Sequence, residues 1–128
     1  MKLHADIRTA QVQAIKDALD AGGEAARLKV YTGDIPADGE ITGQTLLLNY
    51  ALSAPCGSVT DGVLTLGVID EVNAQASGAP GFTRWESSDG DWVMDLPMGS
   101  GITLNSETVS AGQPVAVVGD RKIRAGGA

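Results

Sequence analysis

Of the residue types that most often move protons, attack carbonyls or hold metals, His and Cys occur once each in this chain of 128 residues. The single histidine, His4, lies at the N-terminus, where chains fray, so no Ser-His-Asp or Cys-His arrangement is expected. The single cysteine, Cys56, sits among Ala54, Pro55 and Gly57 with no nearby base or cation to favour its thiolate. It is expected to be a small buried hydrophobe. Paired acids such as Asp70 with Glu71, or Asp34 with Asp38, fall in loop-like stretches and read as solvated surface rather than as a general acid and base. Asp89, Gly90 and Asp91 offer oxygens, but the further ligands and bidentate Glu of a calcium loop do not follow. One Cys and one His far apart make no zinc site. Gly99, Ser100 and Gly101 lack the Lys and helix of a phosphate-binding loop. The expectation is a protein with no catalytic residue, cofactor or metal.

The residues best suited to recognition are aromatic. Trp85 and Trp92 lie on two alternating runs, Phe82 to Glu86 and Trp92 to Leu96, that flank Ser87, Ser88, Asp89, Gly90 and Asp91. Asp-Gly between alternating runs predicts a hairpin with a two-residue type I′ turn, whose central positions need positive φ. With Asp89 and Gly90 in the turn, Ser87 faces Trp92, Glu86 faces Val93, Trp85 faces Met94 and Arg84 faces Asp95. One face then carries Trp85, Met94, Trp92 and Leu96, and the other an Arg84–Asp95 pair worth roughly 0.2 to 1 kcal/mol. Core or subunit interface is the favoured role for the two indoles, and a sugar-binding platform the alternative.

The elements that must carry this hairpin can be read along the chain. From Asp6 to Ala21, Ile7, Val12, Ile15 and Leu19 recur at helical spacing with Ala14 and Ala18 between them. Asp6 or Thr9 can cap this helix, and Gly22 and Gly23 stop it. So short an amphipathic helix needs a surface to pack on, either its own sheet or a neighbouring subunit. Arg27 to Thr32, Thr45 to Leu52, Val63 to Ile69, Gly101 to Asn105 and Val115 to Val118 read as further strands. Asp34 to Gln44, Ser58 to Gly62 and Asp70 to Pro80 read as loops or turns. About seven short strands punctuated by 17 glycines and five prolines predict a mainly β fold, an antiparallel β-sandwich of jelly-roll or immunoglobulin-like type with one N-terminal amphipathic helix. The chain reads as one domain, with the helix at 6–21, the sandwich at 27–118 and a tail at 119–128.

Charge narrows the partners. Sixteen acidic against nine basic residues give a formal charge of −7, and Arg121, Lys122 and Arg124 form the only basic cluster. A field of this sign repels phosphate, so neither nucleic acid nor an anionic membrane is an expected partner. The N-terminal residues lack the apolar stretch of a signal peptide, and no run of about 18 apolar residues occurs. Synthesis and folding in the cytoplasm are expected.

Three blocks of residues carry a resemblance. The first is Asp17, Ala18, Leu19, Asp20, Ala21, Gly22, Gly23, followed by Leu28, Lys29, Val30, Tyr31, Thr32, Gly33. The second is Gly81, Phe82, Thr83, Arg84 with Ser88, Asp89, Gly90 and Val93, Met94, Asp95. The third is Leu104, Asn105, Ser106 leading to Val109, Ser110, Ala111, Gly112, Gln113, Pro114, Val115. In their order and spacing, from about Val12 to Val118, the chain resembles a family of small structural proteins of tailed bacteriophages, encoded among head and head-to-tail genes. The charged stretch Gly119 to Arg124 departs from the more apolar, Thr-rich final strand of that family. The resemblance implies a non-enzymatic virion component, a capsid decoration (cement) protein or a collar or head-tail spike. It would associate with itself, as a trimer for example, and with major capsid or portal and collar proteins. Candidate interface residues are Val12, Ile15 and Leu19 on the helix and Trp85, Trp92 and Met94 on the hairpin. A host-surface glycan- or receptor-binding module is the alternative.

Overall fold

The computed structural model describes residues 5–60, 62–67, 69–98, 102–118 and 122–124. His4, the Gly99 to Gly101 stretch and the tail positions 119–121 and 125–128 lie outside them. Among the described residues the fold is mainly β, with one helix and several antiparallel sheets.

Helix α1 (Ala5–Asp20) follows the expected span to within one residue at each end. It closes where the paired glycines begin, with the Gly23 N–H donating to the Asp20 carbonyl at 3.0 Å. Val12 and Leu19 are fully buried and Ile15 is half-buried, whereas Ile7 is exposed. The reason is phase: Val12, Ile15 and Leu19 stack on one face, and Ile7 falls off it. This face packs on the protein's own strands β3 (Gly57–Thr60), β4 (Val63–Leu66) and β11 (Lys122–Arg124).

The largest sheet has four antiparallel strands in the order β2 (Leu46–Ala51), β1 (Arg27–Thr32), β6 (Pro80–Glu86), β7 (Trp92–Pro97). Alternation sends Leu28, Val30, Leu48, Tyr50 and Trp85 to one face, where all five are fully buried. A three-stranded sheet, β11-β4-β3, contributes Leu64, Leu66 and Ile123 to the same core cluster. Two short pairs, β5 (Val72–Asn73) with β9 (Pro114–Val115) and β8 (Thr103–Leu104) with β10 (Val117–Val118), add Val115 and the partly buried Leu104 and Val117. Tyr50 ties the sheets together, its hydroxyl donating to the Val115 carbonyl at 2.8 Å. Burial, and then the charge of Glu71, push this phenol's pKa above its ordinary value.

Three segments correct the reading from sequence. Gly57–Thr60, expected to be largely turn, is β3, paired with β4 from Gly57↔Leu66 to Thr60↔Val63. Val72–Asn73, expected in a loop, pairs with β9. Lys122–Arg124, assigned to the tail, is β11, with Ile123 opposite Leu64. Each has too few apolar side chains to show a strand period, and each is held by pairing to a partner strand instead.

Candidate functional site

The back of the four-stranded sheet, opposite the main core, is where polar and aromatic groups converge. Tyr31 and Phe82 stack there with ring centroids 5.4 Å apart. Lys29 pairs with Glu86 at 3.0 Å. Arg84 faces Asp95, as the hairpin pattern predicts. The guanidinium donates Nε–H to Asp95 Oδ1 at 2.8 Å and Nη2–H to Oδ2 at 2.9 Å, a two-pronged ion pair. Its side chains are only 8% and 3% exposed. The hydrogen bond to Asp95 holds the Arg84 pKa above its ordinary value.

This face is crossed by the loop 33–44, whose base is closed by the Thr32 N–H on the Thr45 carbonyl, 3.0 Å, and by the Thr45 N–H on the Thr32 hydroxyl, 2.9 Å. A loop of this size with joined ends is an Ω-loop. Arg84 pins its far side, donating Nη2–H to the Gly39 carbonyl at 2.7 Å. Gly39 has a φ of +80°, and a Cβ there would lie 2.5 Å from the Trp92 ring. Glycine is therefore required both by the backbone and by the indole packed against it. The Arg84 guanidinium carbon lies 5.0 Å from the centroid of the Trp92 ring, a cation–π contact. Trp92 is thus held by Gly39 and Arg84, yet 54% of it stays open to solvent.

Trp92 reaches this face because the hairpin differs from its expected form. Ser87 pairs with Asp91 (N–H to carbonyl, 2.9 Å), and the Gly90 N–H donates to the Ser87 carbonyl at 2.9 Å. The loop is therefore three residues long, Ser88 to Gly90, with Gly90 at φ +88°. Trp92 then falls opposite Glu86, and a bulge at Val93 restores Trp85↔Met94 and Arg84↔Asp95. The expected pairs Ser87 with Trp92 and Glu86 with Val93 do not form, and the two indoles lie on opposite faces of the sheet. Trp85 is fully buried in the core, its Nε1–H donating to the Thr83 hydroxyl at 2.9 Å. No platform is built from both rings.

Of the six residues read as a candidate interface, Trp92 alone is exposed. Val12, Leu19 and Trp85 are fully buried in the protein's own core, and Ile15 and Met94 are half-buried against it. Sequence reasoning missed Gly39 and Arg84 as the groups that hold Trp92. The offset of a three-residue loop was the available signal, since Gly at its third position suits a type I turn followed by a bulge.

Lys16 and Asp20 form an ion pair at 2.9 Å, and Asp20 also accepts the Cys56 N–H at 3.0 Å. The Cys56 thiol is buried, and desolvation followed by the nearby Asp20 carboxylate pushes its pKa up to about 12. A depression of about 360 Å³ between Pro80, Met98, Leu104 and Glu107 contains one carboxylate. Among the described residues no group of three or more His, Cys, Asp or Glu is arranged to hold a metal ion. No helix among them is long and apolar enough to cross a membrane. Comparison with protein-family models, with curated proteins and with solved structures found no match to this chain.

Proposed function

We propose that this protein is a non-enzymatic structural component of a tailed-phage virion, a capsid decoration protein or a collar or head-tail spike, that works by associating with copies of itself and docking on the particle. The class comes from the resemblance of the blocks between Val12 and Val118. The observation that carries a docking role is Trp92: a large aromatic ring, packed against Gly39 and Arg84 and left 54% exposed, in a chain with two Trp, two Tyr and one Phe. Exposed, pre-ordered aromatics cost little entropy on binding and concentrate at interfaces. We take the four-stranded and three-stranded sheets as the two layers of a β-sandwich, because one buried cluster draws from both. Such a unit suits a symmetric shell, where many weak copies gain avidity from repetition.

The test is quantitative mass spectrometry of gradient-purified virions of the phage that encodes this chain. The chain is expected in fixed ratio to the shell or collar protein. Its absence from the particle contradicts the proposal.

A further inference from the structure

The surroundings of Trp92 specify the chemistry of what it meets. A Cβ at Gly39 would meet the indole, so the loop backbone on either side of it, at Asp38 and Glu40, runs near the ring. Asp38 and Glu40 are exposed, as are Asp89 and Asp91 at the adjoining turn. The Asp38 carboxylate accepts the Glu40 N–H at 3.0 Å, which orders this stretch of the loop. None of the four has an ion-pair partner among the described residues. Arg84, the one cation against the ring among the described residues, is neutralised by its two bonds to Asp95. An exposed electron-rich ring on a face that also carries unpaired loop carboxylates attracts an organic cation in two ways, through the ring quadrupole and through Coulomb attraction.

We propose that the open part of Trp92 and the loop acids Asp38 and Glu40 form the docking site for a lysine- or arginine-bearing segment of the particle protein on which this chain sits. The partner's side of this inference rests on the virion reading above, while the site's preference for cations rests on the geometry alone. Lysine or arginine suits the site better than a sugar, because the loop acids carry net charge that a neutral glycan leaves unmatched.

The experiment is a titration of the full chain with tetra-lysine amide, followed by ¹H–¹⁵N spectra in which the two indole N–H signals are resolved. The Trp92 signal is expected to move and the Trp85 signal to stay, with an effect that weakens as salt is added. Trp92→Ala is expected to lower affinity about five-fold without changing net charge. Asp38→Asn with Glu40→Gln, which leaves the ring in place, is expected to weaken it as well. Equal affinity for Trp92→Ala and wild type, or a Trp92 signal that answers to neutral oligosaccharides and not to the lysine peptide, overturns the inference. Co-sedimentation with virions separates it from the virion reading. If both variants sediment as wild type does, this surface is not the dock although the virion reading stands. If wild type fails to sediment while the peptide still moves Trp92, the virion reading falls and the cation site remains.

Discussion

Arg84 shows how one side chain links the interior of this protein to its surface. It takes both oxygens of Asp95, a loop carbonyl at Gly39 and the ring of Trp92, and it is nearly buried while doing so. Pairs this enclosed contribute little net stability when intact, but removing one partner leaves the other charge stranded. Asp95→Ala is therefore expected to lower stability by about 3 kcal/mol, read from denaturant midpoints. Arg84→Met, which removes the cation and leaves Asp95 alone, is expected to cost a similar amount and also to release the loop 33–44, visible as faster amide exchange at Gly39. A second residue-scale prediction concerns Asp20. Burial raises its carboxyl pKa, but the hydrogen bonds from Lys16 and the Cys56 N–H more than reverse this and hold it below its ordinary value. A carboxyl lowered in the folded state contributes stability above its unfolded pKa and loses it as pH falls through the folded value. Asp20→Asn is expected to be less stable than wild type at pH 7, and the gap is expected to close below about pH 4, as pH passes below the unfolded Asp pKa. A gap that is independent of pH contradicts the assignment.

At the level of elements, the outcome followed how strongly each segment advertises a period. Strand β1 coincides with the expected Arg27 to Thr32, and α1 with its expected span, because six to sixteen residues of regular alternation or helical spacing leave little choice. The far half of the hairpin, Arg84↔Asp95 and Trp85↔Met94, was also legible, since charge and apolarity agree on both faces. Its near half was not. Asp-Gly suits both a two-residue turn and the end of a three-residue one, and the bulge at Val93 that absorbs the difference has no signature in side-chain type. That single residue decides whether Trp92 joins Trp85 in the core or faces the loop, so the candidate site was legible in its residues but not in its assembly. Strand β11 was hidden for another reason: Ile123 between Lys122 and Arg124 shows no run, and only its place opposite Leu64 makes it a strand. The helix depends on packing in the same way. Leu19→Ala removes a fully buried side chain from the α1 face that meets β3, β4 and β11. It is expected to cost about 3 kcal/mol in thermal or denaturant unfolding. A loss near zero would mean that the helix face packs elsewhere.

For the whole molecule, one aliphatic core serves the helix and all four sheets, while recognition is assigned to the opposite face of a single sheet. The formal charge of −7 disfavours close approach between copies, so the proposed self-association would have to rely on specific contacts and would strengthen as salt screens the repulsion. The proposed symmetric particle would supply the order that favours closed rings. The most direct check on this account is the mass of the full chain in solution, measured by sedimentation equilibrium over a wide range of concentration and salt. The account predicts a discrete closed oligomer, such as a trimer, favoured by added salt. A strict monomer at every concentration and ionic strength would contradict it.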